Sequence, residues 1–279
     1  MSRSRPAPPP PEPLFPLVDA HTHLDACGAT DADGVRAIVD RAEAVGVNAV
    51  VTIADDMASA RWVVTAARAD PRVYAAVALH PTRADALTDA AKADIESLAR
   101  DPRVVAVGET GLDLYWPGRL ETCAEPETQR DAFAWHIDLA KRTGKPLMIH
   151  NRDADHEVLD VLRAEGAPRD VIFHCFSSDS QMARECLDGG WLLSLSGTVS
   201  FKNATALHEA ARLIPPQQLL VETDAPFLTP HPYRGAPNEP YCLPYTVRAL
   251  ADLTGRPAED LARDTTANAV RVYGLTAPA

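Results

Sequence analysis

Nowhere in the 279 residues does an apolar run approach the roughly 20 that a membrane-spanning helix needs. Hydrophobic stretches such as Ala75–Leu79 and Val171–Phe173 stop far short of it, which excludes a transmembrane protein. Cysteine is scarce. Cys27, Cys123, Cys175, Cys186 and Cys242 form an odd, widely spaced set with no C-x-x-C pair. That pattern argues against a disulfide framework or a zinc ribbon and places the chain in a reducing, cytoplasmic setting. Positive charge is also in deficit, with 27 basic against 39 acidic side chains and a formal net charge of −12. A broad basic face for gripping duplex nucleic acid is therefore not expected, although a local anion site is compatible with it. The arginines are scattered along helical stretches such as Arg36–Arg41 and Arg61–Arg68, as on solvated helix faces. The N-terminal MSRSRPAPPPPEP is basic and proline-rich but has no apolar h-region, so residues 1–14 are expected to be a disordered tail rather than a secretory signal.

What the chain has instead is an alternation of short β-branched runs with longer, alanine-rich segments of helical period. Strands are expected at Leu17–His23, Val47–Ile53, Val73–His80, Val104–Glu109, Leu147–His150, Val171–Cys175, Trp191–Ser196 and Leu219–Asp224. Helices are expected near Asp33–Val45, Asp56–Ala69, Ala84–Arg100, Glu127–Thr143, Asp155–Glu165, Ser180–Asp188, Ala204–Leu213 and Leu243–Leu253, with Ala258–Tyr273 a further helix outside. Each strand feeds a crossover helix, so the strands run parallel. Eight such units without an internal repeat or linker match a single α/β domain over 15–279, a (β/α)8 TIM barrel. An open doubly wound sheet fits less well, because no G-x-G-x-x-G opens the first βα turn.

Side chains two apart on a strand point the same way, so Asp19, His21 and His23 of VDAHTHLD are expected to project together at the first strand's C-terminal end. Glu109 follows Val105 and Val107 at the end of the fourth strand, before a turn signalled by Thr110–Gly111–Leu112–Asp113. His150, His174 and Asp224 end the fifth, sixth and eighth strands. A lone strand-end histidine is usually satisfied by its neighbours, and a lone aspartate often caps a helix. Here imidazoles and carboxylates on five strands converge on the mouth where barrel enzymes keep their chemistry. Six ligands exceed what one tetrahedral ion needs, so two divalent ions sharing a bridging carboxylate fit better, and hydrolysis is the reaction such a pair supports. A structural zinc site would be closed and rich in cysteine, whereas only Cys175 lies near this set.

Read in order, DAHTHLD at 19–25, LHP at 79–81, GETGLD at 108–113, IHNRDA at 149–154, FHCFS at 173–177, SGTVSFKNA at 196–204, ETDAPFL at 222–228 and RGAPNEP at 234–240 closely resemble the TatD family of metal-dependent deoxyribonucleases. The match spans nearly all of Val18–Gly274. The resemblance implies that His21, His23, Glu109 and Asp224 hold one ion and that Glu109, His150 and His174 hold the second, with Glu109 bridging. Glu109 stands where more distant relatives use a carboxylated lysine. The implied activity is hydrolysis of DNA phosphodiesters from the 3′ end, with a metal-bound water attacking phosphorus and Asp224 accepting its proton. Two divalent ions against two carboxylates leave the site at about +2, or about +1 with Asp19 ionised nearby. Charges are screened over roughly 8 Å, so this local field outweighs the negative total, favouring single-stranded ends and a shallow salt dependence.

Other residues carry narrower expectations. His80 faces the active site in the family and is expected to hold a phosphate oxygen or transfer a proton, the bland alternative being a turn cap. Arg152, Lys202 and Arg234 are the substrate-binding candidates, the arginines through bidentate phosphate contacts and Asn203 beside Lys202. Asn238 and Glu239 are expected to close their loop, Glu222 to be a buried hydrogen-bonding carboxylate, and Asp19 to orient a ligand without binding metal. No function is assigned to His136, His156, His208 or His231. Magnesium, manganese and zinc all suit the donor set, and no obligate protein partner is evident. Competing functions are another ester hydrolase on the same ions, such as a D-aminoacyl-tRNA deacylase, and a non-catalytic metal-binding protein.

Overall fold

Eight parallel strands follow one another round a single sheet in chain order in the computed structural model, which describes residues 5–276. They are β1 (Leu17–Thr22), β2 (Val47–Ile53), β3 (Val73–Val77), β4 (Val104–Asp113), β5 (Leu147–Arg152), β6 (Val171–Phe173), β7 (Leu192–Leu195) and β8 (Leu219–Val221). Crossover helices lie between them: α1 (Ala32–Glu43), α2 (Met57–Ala69), α3 (Asp89–Leu98), α4 (Pro126–Thr143), α5 (Asp155–Glu165), α6 (Ser180–Asp188) and α7 (Thr205–Ala211), with α8 (Leu243–Thr254) and α9 (Ala258–Tyr273) following. The expected helix from Ala84 is instead a 3-10 turn, Pro81–Ala86, and a separate α3. The break falls at Thr88, whose hydroxyl accepts from Ala91 N and starts a new helix.

Strand pleating divides the apolar side chains into two sets. Outward residues such as Val47, Val50, Leu147 and Val171 pack under helix residues such as Ile38, Val63, Phe133 and Ile137. Inward residues such as Val51, Ile53, Met148, Ile172 and Leu220 form a second cluster that fills the barrel.

The ladder runs from β1 to β8, and the ring is completed by other means. β1 and β8 meet through backbone bonds only at their C-terminal ends, Asp224 N to His21 O (2.9 Å) and His23 N to Ala225 O (2.8 Å). Below that point α9 covers the seam, and its side chains satisfy carbonyls a ladder would have used. Tyr273 Oη donates to Ala20 O, Asn268 Nδ2 to Leu219 O, and Thr266 Oγ1 to Pro16 O. Expected merely to pack outside, α9 also sends Ala269, Val272 and Tyr273 into the barrel's inner cluster.

The N-terminal segment differs from the disordered tail expected of it. From residue 5 it lies along the start of α8, with Pro8, Pro11 and Leu14 buried. Tyr241 Oη donates to Pro8 O (2.7 Å), Tyr245 Oη to Pro9 O (2.8 Å) and Arg248 Nη2 to Glu12 O (2.8 Å). Proline cannot donate from its nitrogen, but its carbonyl remains a good acceptor, and the barrel supplies the donors. Residues 1–4 of that expected tail lie outside the described residues. Among the described residues no helix is long and apolar enough to cross a membrane.

Candidate metal centre

β1 delivers His21, with His23 immediately beyond its end, and Met148 Sδ on β5 lies 3.2 Å from His21 Nδ1 beneath them. The pleat does not bring Asp19 along. The pairing register of β1 shifts between Asp19 and Thr22. Asp19 turns instead to the β1–β8 seam and accepts from Thr223 N (2.9 Å) and Thr223 Oγ1 (2.5 Å). It also takes a long contact from His21 N (3.4 Å). It acts on backbone next to two candidate ligands rather than on an imidazole. Burial raises its carboxyl to about 8 against the opposing Thr223 hydrogen bonds.

Glu109 lies inside β4, not at its end. The sequence Thr110–Gly111–Leu112–Asp113, expected to turn, continues the strand, paired with Ile149–Arg152. Glycine makes this possible. A Cβ on Gly108 would stand 2.4 Å from Met148 Cβ, and one on Gly111, at φ +135°, 2.1 Å from His150 O. The expected alternation already fails before Glu109: Val105 lies in the barrel's inner cluster and Val107 in the outer one, and the register shifts again between Val107 and Thr110. β6 and β8 stop early, and His174, Glu222 and Asp224 follow the last paired residues. Asp153, Cys175 and Asp224 adopt φ of 53°, 42° and 51°, left-handed backbone at non-glycine residues clustered where β5, β6 and β8 end.

These elements gather the six expected ligands, all buried except the half-buried His150. His21 Nε2 and His23 Nε2 are 3.2 Å apart, and each is 3.6 Å from both Glu109 Oε1 and Asp224 Oδ1. A tetrahedron with metal–ligand bonds of about 2.1 Å has edges of roughly 3.4 Å, so this spacing suits one small cation. The other carboxylate oxygen, Glu109 Oε2, lies 3.1 Å from His150 Nδ1 and 2.8 Å from His174 Nε2, which are 3.3 Å from each other. The donor set contains only imidazole nitrogen and carboxylate oxygen, the chemistry that suits zinc, manganese or magnesium.

Electrostatics favour a cation here. Burial opposes charge on His23, but its hydrogen bond to Asp224 and the fields of Asp55 and Glu109 raise it to about 10. His174 is likewise held well above its ordinary value, against burial, by Glu109 and Glu222. Glu109 is driven well below its ordinary value, against burial, by His174, His21 and His150. Burial and the neighbouring His174 lower His21.

Two carboxylates that sequence reasoning left without a role orient the rings. Asp113 Oδ2 lies 3.1 Å from His150 Nε2, leaving Nδ1 to face Glu109. Its place four residues after Glu109 in GETGLD was the available signal. Asp55, just beyond β2, approaches His23 Nδ1 at 3.6 Å. Glu222 is buried and hydrogen-bonded as expected, accepting from Cys175 N (2.7 Å) with Oε1 3.3 Å from His174 Nδ1. For His80 the contacts show the turn cap, the bland alternative, and its ring also stands against that of a candidate ligand. Its Nδ1 accepts from Thr82 N, capping the 3-10 turn, while its ring meets that of His150 edge-on at 4.4 Å. Burial and His150 lower it to about 3, so the ring is neutral at physiological pH.

The substrate-binding candidates stand apart. Among the described residues no hydrogen bond or ion pair joins Arg152, Lys202 or Arg234 to the six ligands. Arg152 stacks on Tyr115 (4.1 Å to the ring centre) and lies over Trp116 (5.4 Å), Arg234 stacks on Phe201 (4.4 Å), and Lys202 is exposed. Asn238 closes its loop as expected, donating to Thr223 O and Phe227 O, and Glu239 pairs with Arg41.

The sequence model described as TatD related DNase matches residues 18–274. The chain belongs to the TatD family. It is 74% identical over 259 residues, 93% of this chain and 98% of the relative, to a Mycobacterium tuberculosis protein named uncharacterized metal-dependent hydrolase TatD. A Citrobacter rodentium relative named 3'-5' ssDNA/RNA exonuclease TatD is 31% identical over 249 residues, covering 86% of this chain and 91% of the relative. The crystal structure of YJJV, a TatD homologue from Escherichia coli K12, superposes with a TM-score of 0.85 at 26% identity, covering 93% of this chain and 98% of that one. This TatD-family chain is a metal-dependent hydrolase on a nearly closed eight-stranded barrel.

Proposed function

We propose that this TatD-family hydrolase removes nucleotides from the 3′ end of single-stranded DNA, using two divalent ions held by the six converging side chains. His21, His23, Glu109 and Asp224 would hold one ion, and Glu109, His150 and His174 the other. The division of the Glu109 carboxylate carries this reading, since each oxygen sits in a different group of donors at ligand-to-ligand spacing. The family description as a DNase and the name of the Citrobacter relative support the substrate class.

When bound, the ion pair supplies positive charge for a phosphodiester and acidifies a water at the site. Asp224, kept ionised against burial by His23, His21 and His174, would accept a proton from the attacking water, while the bond from phosphorus to the 3′ oxygen of the preceding nucleotide breaks and that oxygen leaves as the new 3′ hydroxyl, protonated from solvent. The neutral His80 donates to a non-bridging phosphate oxygen. Arg152, Lys202 and Arg234 meet phosphates further along the strand from exposed segments. Few phosphates are then neutralised by side chains, so binding weakens only shallowly with salt.

The test is a 5′-labelled single strand incubated with the purified protein in magnesium, manganese or zinc, alongside a chelated control. Stepwise shortening from the 3′ end is expected. Turnover of D-aminoacyl-tRNA with an intact DNA strand in every metal would replace this reading with the deacylase.

A further inference from the structure

One large apolar side chain at the pocket is left uncovered by the fold. Phe227, in the segment after β8, is 55% exposed. Single exposed hydrophobic residues are common and need no explanation. This one differs in where it stands and how firmly it is held. Its ring meets that of the candidate ligand His23 edge-on, with ring centres 6.1 Å apart. Its N–H donates to Asp224 O (2.9 Å), and its carbonyl accepts from Asn238 Nδ2 (2.5 Å). Asn238 is itself buried and also anchored to Thr223 O (3.0 Å). Here the backbone fixes it beside the site where the scissile phosphate would bind.

We propose that Phe227 is a nucleobase subsite that stacks the unpaired base of the terminal nucleotide while its phosphodiester lies at the metal centre. The inference rests on the nuclease reading above and names the part of the substrate that reading leaves without a partner. An aromatic face suits this ligand because every base offers a π-surface, which gives grip without sequence preference. Tyr115 and Trp116, which follow β4 on the other side of the ring from β8, have faces already covered by Arg152, so Phe227 offers the uncovered aromatic face beside the candidate ligands. A duplex end would have to unpair its last base to use Phe227, so the subsite selects frayed or single-stranded ends.

Two otherwise identical strands test it, one ending in an ordinary nucleotide and one in an abasic residue, with wild-type, Phe227→Ala and Phe227→Trp proteins in the metal-loaded form. Wild type should favour the base-bearing strand in kcat/KM. Phe227→Ala should lose roughly 5- to 100-fold on that strand, bringing the ratio between the two strands towards one, and Phe227→Trp should restore the preference. A readout without turnover uses a 3′-terminal 2-aminopurine on a phosphorothioate strand. Wild type should quench its fluorescence on binding, and Phe227→Ala should not. Equal losses on both strands, or quenching unchanged in Phe227→Ala, overturn the subsite and leave the nuclease reading intact. Wild-type protein inert towards both strands overturns the nuclease reading, and the subsite with it.

Discussion

Asp113 and His150 form the contact that decides which face of an imidazole meets the candidate centre. With Asp113 Oδ2 3.1 Å from Nε2, the ring presents Nδ1 to Glu109 Oε2 and His174. Asp113 is itself fixed, its Oδ1 accepting from Tyr115 N and Trp116 N and its own N–H donating to Gln129 Oε1. A carboxylate in this position sets the tautomer and strengthens the ligand. Asp113→Ala should weaken the second of two metal-binding steps roughly 10- to 100-fold in a calorimetric titration and leave the first nearly unchanged. Two unchanged steps would show that His150 needs no such partner.

His136 gives the fold an acid sensitivity separate from the metal centre. Fully buried on α4, it accepts from Leu79 N at Nε2 and donates from Nδ1 to Ala132 O (2.7 Å), with Thr110 Oγ1 3.1 Å from Nδ1. Burial lowers it from 6.5 to about 4, partly opposed by the Ala132 carbonyl. The folded state thus binds fewer protons than the unfolded chain between those values. The stability it contributes is present above pH 6.5 and lost as pH falls towards 4, amounting to at most about 3 kcal/mol. Urea unfolding of chelated protein across that range should show a smaller pH slope in His136→Gln than in wild type. Parallel slopes would assign the acid sensitivity elsewhere.

The N-terminal strap should contribute measurably to stability. Tyr241, itself buried, donates to the carbonyl of the buried Pro8. Tyr241→Phe leaves that acceptor unpaired and should cost about 1 kcal/mol, a fall of roughly 2–4 °C in Tm. A melting temperature identical to wild type would mean that water replaces the lost donor without cost.

How much of this was legible in the sequence depends on whether the governing interaction is local. The β-branched run of Val47–Ile53 and the helical period of Asp155–Glu165 are properties of the segments themselves, and both elements stand as the pattern predicts. His21, His23, His150, His174 and Asp224 share one rim because strand ends do so in any parallel barrel. Glu109 was identified, but its setting was not. Gly111 reads as a turn in isolation, whereas the approach of His150 O makes it a strand residue. The direction of Asp19 depends on a register shift set by neighbouring strands. The proline-rich segment has no pattern of its own, because its donors, Tyr241, Tyr245 and Arg248, come from α8 and the turn before it.

The central claim is that one carboxylate joins two metal positions, and metal content against substitution at Glu109 tests it most directly. Elemental analysis after loading and buffer exchange should give two divalent ions per chain for wild type and strong depletion at both positions for Glu109→Ala, with phosphodiester hydrolysis lost in parallel. Full loading of Glu109→Ala, or a single ion in fully active wild-type protein, would contradict the account.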